Sequence, residues 1–109
     1  MNKLIYILIL IFTSCGNKEK KTVILSKSSS NYIDWIINED IIILDAYSIK
    51  NTDSILKLAD GIILTGGEDI NPLEYNDTIN IKVCGPINYF RDTLERNLFN
   101  YAFQNNIPL

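Results

Sequence analysis

The most constraining feature of the sequence is a short apolar run that leads into two glycines. Residues 62–64 are Ile-Ile-Leu, they follow Gly61, and Thr65 separates them from Gly66 and Gly67. A continuous apolar run bounded by glycines is typical of a parallel strand that is covered on both faces. Paired glycines allow a sharp turn and leave backbone N–H groups uncovered. We therefore expect a site for a carboxylate, phosphate or oxyanion at the carboxyl end of this strand, where open α/β sheets bind ligands.

The first 14 residues predict an export signal that is not part of the fold. Asn2 and Lys3 precede an apolar run over residues 4–12, and two small residues then lead into Cys15. This is the order of regions in a secretory signal, and the run is too short to span a bilayer as a helix. Residues 13–15, Thr-Ser-Cys, resemble the lipobox of bacterial lipoproteins, in which the cysteine is lipidated and becomes the first residue.

The lipobox resemblance implies lipidation at Cys15. The polar residues that follow predict a flexible tether over residues 15–21, and the length of the remaining chain predicts a single domain over residues 22–109. The lipobox resemblance also implies export to the bacterial cell envelope and attachment to a membrane through the lipid. A plain secretory signal and an uncleaved apolar N-terminus remain the alternatives, and both leave the predicted domain unchanged.

Charge and cysteine content exclude several classes of protein. The 109 residues include 10 Lys and Arg against 13 Asp and Glu, so a nucleic-acid surface is not expected. The chain has two cysteines, and the use of Cys15 for lipid leaves Cys84 without an intrachain partner. We expect no metal and no cofactor.

Apolar patterning predicts an α/β domain. Strands and helices are expected to alternate, which implies right-handed crossovers onto a parallel sheet. A short helix capped by Ser30 or Asn31 has an apolar face that includes Trp35, which we predict to be buried. The predicted strands are residues 22–25, 41–44 and 62–65, and the second helix begins near 51–52 and runs through 58.

The strongest helical pattern spans Tyr89–Asn105. Its apolar residues recur every four positions, which predicts one buried face. The charged residues are expected on the rest of its surface, where two i, i+4 ion pairs, Asp92–Arg96 and Arg91–Glu95, are available. Residues 107–109 resemble the opening of a fourth strand. The predicted buried residues are Phe90, Leu94, Leu98, Tyr101 and Ala102.

Residues 66–86 form a long connection rich in Gly, Asn, Asp and Pro, and long connections of this kind are usually functional or mobile. Glu68 and Asp69 within it are candidates for binding a substrate amine, or are simply solvated. Asp45, just past the second strand, is more readily interpreted as a solvated loop carboxylate than as a site residue.

Two motifs resemble one family. Residues 60–72 and Tyr75 present Asp-Gly, an aliphatic run, paired glycines, an acidic residue, Pro and Tyr in the order found in class I glutamine amidotransferase-like hydrolases. The similarity is greatest to the peptidase C26 branch, which includes γ-glutamyl-γ-aminobutyrate hydrolases. Arg91-Asp92 and the following Glu95, with Ile-Pro at 107–108, are similar to that family's Arg-Asp helix and to the start of its nucleophile strand.

The resemblance implies a flavodoxin-like three-layer sandwich with a parallel sheet, here reaching only the start of the fourth strand. It implies cysteine-dependent hydrolysis of a small γ-glutamyl compound, with an oxyanion-hole N–H from Gly66, Gly67 or Glu68. Arg91 and Asp92 would contact substrate or fix the helix against the loop.

The sequence contains no histidine, and Cys84 lies in the long loop before the helix. The family's nucleophile would lie a few residues beyond Leu109. We therefore expect the N-terminal part of a lipid-anchored γ-glutamyl hydrolase, without catalytic residues and inactive alone. The alternatives are a small non-catalytic binding module at the membrane and the product of an interrupted gene.

Overall fold

The fold is built on a parallel sheet of three strands. A computed structural model describes residues 16–109, so that the predicted signal and Cys15 lie outside the described residues. The strands are β1 (Lys21–Leu25), β2 (Ile41–Asp45) and β3 (Gly61–Ile63). Both neighbours pair with β1 in parallel, which gives the order β2-β1-β3. This is the order at the start of a flavodoxin-like sheet, and the predicted α/β fold is confirmed.

Helices connect the strands and complete the fold. Helix α1 (Ser30–Ile36) joins β1 to β2, and α2 (Thr52–Leu56) joins β2 to β3. After β3 the chain forms two 3-10 turns, Pro72–Tyr75 and Asn80–Lys82, before α3 (Tyr89–Asn105). The bounds of α3 are those predicted from its apolar period. Asn106 ends the helix in the left-handed conformation, with φ 53°.

The core lies on one face of the sheet. Ile24 of β1 is paired with Leu44 and with Ile62, and side chains at paired positions point to the same face. Ile24 and Ile62 are fully buried, and Leu44 packs against them. Helices α2 and α3 cover this face. Their buried core residues are Ile55, Leu56, Leu94, Leu98 and Ala102.

Two predicted core residues are exposed, and both predictions are wrong. Trp35 is 74% exposed, because the partly buried stripe of α1 runs through Tyr32, Ile33 and Ile36 and Trp35 falls to its side. Phe90 is 57% exposed, because it lies in the first turn of α3, where it meets the ring of Tyr47 edge-on instead of the sheet.

The end of the described chain lies beside β3. Ile62 N–H donates to the carbonyl oxygen of Pro108 at 2.9 Å, although residues 107–109 do not form a regular strand. The predicted fourth strand is thus present only as this one backbone contact. Among the helices of residues 16–109, none has the length and apolar character needed to cross a membrane.

Candidate functional site

The candidate site is the loop of residues 65–68, which follows β3. The carboxyl ends of β1 and β3 are adjacent there, and the buried Ser26 holds them together. Its N–H donates to the carbonyl of Ile63 at 2.9 Å, and its hydroxyl accepts the Thr65 N–H at 2.9 Å. The hydroxyl also donates to Glu95 of α3 at 2.7 Å. The loop is therefore attached to the sheet and to α3 through one small side chain.

Arg91 of α3 lies beneath the loop and is only 4% exposed. The prediction that it lies on the helix surface is wrong, because its side chain reaches the loop carbonyls. Nη2 donates to the carbonyl oxygens of Thr65 and Gly66, the latter at 3.0 Å, and to the Thr65 hydroxyl at 3.1 Å. Nη1 and Nε donate to the carboxylates of Glu68 and Glu95. A planar guanidinium with five N–H groups is suited to this many acceptors.

The charges around Arg91 balance. Its burial would lower the pKa of the guanidinium, but Glu68 and Glu95 outweigh this and raise the pKa above its ordinary value. Glu68 also accepts from Lys27 at 2.9 Å. Its own backbone N–H, followed by Lys27 and Arg91, lowers the pKa of Glu68 to about 2. Glu68 is therefore ionised and paired with both Lys27 and Arg91.

The three candidate donor amides differ in what they face. The Gly66 N–H donates to the hydroxyl of Tyr32 at 3.0 Å, so the prediction that it is uncovered is wrong. The Glu68 N–H lies near its own carboxylate and lowers the pKa of that group. Within residues 16–109 we find no acceptor for the Gly67 N–H. The loop borders a shallow cavity of about 200 Å³ that is also lined by Lys27 and Ser28.

The reason for glycine at position 67 is not the one predicted from a sharp turn. No described glycine has a positive φ. A Cβ at Gly67 would lie 2.8 Å from Cζ of Arg91, closer than real Cβ contacts allow, whereas a Cβ at Gly66 would meet only the Tyr32 hydroxyl at 3.5 Å. Glycine at 67 thus leaves room for the guanidinium.

The other candidates from the sequence, Asp92 and Asp69, accept hydrogen bonds from loop backbone. Asp92 accepts the Asn71 N–H at 3.3 Å, and the predicted Asp92–Arg96 pair is absent because Arg96 binds Glu74. The predicted Arg91–Glu95 pair is confirmed at 2.9 Å. Asp69 accepts the Gly85 N–H at 2.7 Å, which closes the long connection onto itself.

Asp45 is partly buried and accepts hydrogen bonds from its own loop. It accepts from the hydroxyls of Ser28 and Ser48 at 2.7 and 2.8 Å, and from the Tyr47 N–H at 3.0 Å. Its burial raises the pKa, but these hydrogen bonds outweigh that effect and the net pKa is below the ordinary value. Cys84 is a partly buried free thiol within the long connection.

Sequence reasoning missed four residues of the loop network: Ser26, Lys27, Tyr32 and Thr65. Ser26 and Lys27 follow β1, and Thr65 follows β3 after one residue. Polar residues just past two adjacent parallel strands are a recognisable signal, since those ends share one edge of the sheet. Tyr32 carried no such signal, because its position in α1 is typical of a core residue.

Two other features do not supply a competing site. A cavity of about 550 Å³ at the far end of α3 is lined largely by apolar residues, among them Phe99, Phe103 and Leu109. Over residues 16–109, no three side chains of the metal-binding types are grouped closely enough to hold an ion.

Comparison with known proteins identifies the family. A sequence model of the peptidase C26 family matches residues 12–109. The chain is 29% identical over 84 residues to a Schizosaccharomyces pombe protein named "Putative glutamine amidotransferase PB2B2.05". This alignment covers 77% of this chain and 33% of that protein. The chain is also 31% identical over 87 residues to the Lactococcus lactis "Putative glutamine amidotransferase-like protein YvdE". That alignment covers 78% of this chain and 36% of the relative.

The chain therefore spans about a third of the length of these curated relatives. No solved structure gives a significant match. The family match covers the sheet, the glycine loop and α3, which are the elements that build the site described above. The chain belongs to the peptidase C26 family of glutamine amidotransferase-like proteins.

Proposed function

We propose that this chain forms the oxyanion-binding side of a cysteine-dependent hydrolase that acts on γ-glutamyl amides. One observation carries the proposal: the Gly67 N–H, at the carboxyl end of β3, has no acceptor among the described residues, whereas the Gly66 N–H donates to Tyr32. An amide held beside a cavity and free of partners is suited to a developing negative charge.

The chemistry follows from the γ-glutamyl amide bond. A thiolate adds to the γ-carbonyl carbon, and the carbonyl oxygen becomes an oxyanion that accepts the Gly67 N–H. Collapse of this intermediate breaks the C–N bond, and the amine leaves with the proton that the general base took from the thiol. The same base then takes a proton from water, which hydrolyses the thioester and releases the γ-carboxylate and the thiol. A donor of this kind is commonly worth about 2.7–4 kcal/mol of barrier.

The thiolate and its base are proposed to come from residues outside these 109. The sequence has no histidine, and Cys84 is in the connection between β3 and α3, tied in place next to Gly85. A nucleophilic cysteine is activated by an adjacent general base, and the sequence has no histidine to act as one. Cys84 is therefore not assigned as the nucleophile.

We also propose that Cys15 carries a lipid and attaches the domain to a bacterial membrane. The support is the sequence of residues 2–15 alone: charged, then apolar, then two small residues before the cysteine. The polar residues 16–20 would separate the domain from the membrane surface.

The test combines a mass measurement with an activity assay. The native protein is extracted from its membranes in detergent, and its intact mass is compared with that of residues 15–109 plus acyl chains. Glutamate release from a panel of γ-glutamyl amides is then measured for the native protein and for the purified 109-residue chain.

We expect acylation at Cys15 and no glutamate release by the 109-residue chain. Where the native mass is larger than residues 15–109 with lipid, we expect release that iodoacetamide abolishes. Turnover by the 109-residue chain would contradict the assignment of the nucleophile to other residues. An active, longer native protein that resists iodoacetamide would contradict the cysteine mechanism, and an unmodified Cys15 in the native protein would contradict the lipid anchor.

A further inference from the structure

The glycine loop is held from below by a single buried cation. Arg91 Nη2 binds two successive carbonyl oxygens, those of Thr65 and Gly66, while Nη1 and Nε are held by Glu68 and Glu95. The guanidinium is therefore fixed from two sides. A side chain that is 4% exposed and bonded at all three nitrogens has little freedom to move.

These bonds determine which way the neighbouring amides point. The carbonyl of Gly66 and the N–H of Gly67 belong to one planar peptide unit, and no described peptide bond is cis. In a trans unit the N–H is antiparallel to the carbonyl. Because Arg91 binds the Gly66 oxygen at 3.0 Å, the Gly67 N–H is turned away from the guanidinium. The same argument applies one unit earlier, where Arg91 binds the Thr65 oxygen and the Gly66 N–H reaches Tyr32.

Gly67 is adapted to the same cation. Its φ is not positive, so that its backbone conformation is open to other residues. What excludes a side chain is the guanidinium, whose Cζ would lie 2.8 Å from a Cβ at this position. Such an overlap would be relieved cheaply if the arginine were free to move, but its contacts with Glu68, Glu95 and the loop carbonyls oppose this.

From this geometry we infer that Arg91 is a positioning residue for the Gly67 amide, and that Gly67 is glycine to admit the Arg91 guanidinium. Arg91 acts through the Gly66 carbonyl and does not touch substrate. The role of the amide as an oxyanion donor rests on the proposed function, whereas the coupling between positions 91 and 67 is a property of the loop and is testable without turnover.

The first test is the ¹H–¹⁵N spectrum of the 109-residue chain with Arg91→Lys. Lysine keeps the charge but presents one ammonium group, which does not hold both carbonyls and both carboxylates at once. We expect the Gly66 and Gly67 amide resonances to move and their hydrogen exchange to accelerate, while resonances of Leu98 and Ala102 stay in place. Wild-type positions for both glycine amides would overturn the inference.

The matched control is Arg96→Lys. Arg96 lies on the same helix but is about half exposed, and among residues 16–109 its ion-pair partner is Glu74. The Arg96→Lys substitution makes the same chemical change about one and a half turns further along α3. The Gly66 and Gly67 amide resonances should therefore stay in place. Equal shifts in both variants would mean that any lysine in α3 perturbs the loop, and would overturn the specific role of Arg91.

The second test reverses the direction of the coupling. Gly67→Ala should move the Nε–H resonance of Arg91 and lower Tm, whereas Gly66→Ala, with 3.5 Å of space beside Tyr32, should leave that resonance in place. In an Arg91→Ala background, Gly67→Ala should lower Tm by much less. An equal loss in both backgrounds would overturn the steric account. If Arg91→Ala does not fold, the Nε–H comparison decides alone.

Both tests are independent of glutamate release. A failure of the proposed function in the activity assay leaves the coupling of Arg91 to Gly67 to be judged by these spectra. Conversely, an active native enzyme whose loop amides ignore Arg91→Lys would keep the function and remove the positioning role.

Discussion

The hydroxyl oxygens of Ser26 and Thr65 lie 3.1 Å apart, although the two residues are 39 positions apart in the sequence. The contact joins the chain segments that leave β1 and β3. Ser26 also donates to Glu95 of α3, which accepts from Arg91. Side-chain hydrogen bonds therefore connect the two chain segments beyond the last backbone hydrogen bonds of the sheet. Four predictions follow from this arrangement and from the placement of the core.

Ser26→Ala should destabilise the fold by about 1–3 kcal/mol, because it leaves the buried Thr65 N–H without its acceptor and removes a donor to Glu95. Chemical denaturation followed by circular dichroism measures this. Ser29→Ala is the control, since Ser29 is exposed and makes no side-chain cap to α1, and its effect should stay within about 0.5 kcal/mol. Equal losses in the two variants would argue against the network.

Trp35, which is the only tryptophan, should emit as a solvent-exposed indole and be quenched efficiently by acrylamide, because 74% of it is accessible. Trp35→Ala should change the free energy of unfolding by no more than about 0.5 kcal/mol. Leu98→Ala, at a fully buried position of α3, should cost about 2–5 kcal/mol. A blue-shifted, unquenched emission would place Trp35 in a core and contradict the structure.

The pH dependence of stability should contain a contribution from Glu68. Its pKa is about 2 in the folded protein and 4.5 as an ordinary carboxyl, so the unfolded chain binds the proton more tightly. The stabilising contribution is therefore present above pH 4.5 and lost as the pH falls from there toward 2. Thermal unfolding across this range should show a shallower decline in Glu68→Gln than in wild type, and a parallel decline would contradict the pairing with Lys27 and Arg91.

The stability of the fold should depend on which residue occupies position 106, because Asn106 ends α3 in the left-handed conformation, with φ 53°. Its N–H donates to the Ala102 carbonyl. Asn106→Ala should cost about 1 kcal/mol, since most L residues are strained in this region. Asn106→Gly should be neutral or stabilising, because glycine adopts the conformation without a steric penalty. Thermal melts of the two variants decide this, and a more stable alanine variant would contradict the assigned cap.

The pattern of apolar residues along the sequence predicted most of the fold. The bounds of α3 follow from a four-residue apolar repeat, and the three strands follow from unbroken aliphatic runs, because both patterns reflect which residues must leave water. Trp35 shows the limit of such patterns. A helix of seven residues has room for only one narrow buried stripe, and the rotation of that stripe depends on how the helix lies against the sheet.

The glycine loop and Arg91 were recognisable as parts of two motifs that resemble one family, but not as contact partners. Local sequence pattern was enough to predict a strand that leads into Thr65, two glycines and an acid, and a long helix whose first turn contains an arginine 26 positions after that threonine. Three further facts come from the three-dimensional fold: this arginine is buried beneath the loop, the Gly66 N–H donates to Tyr32, and the Gly67 N–H has no acceptor among residues 16–109. Local propensities act over a few residues, whereas the position of a buried charge depends on acceptors that the sheet and α3 bring together from distant parts of the chain.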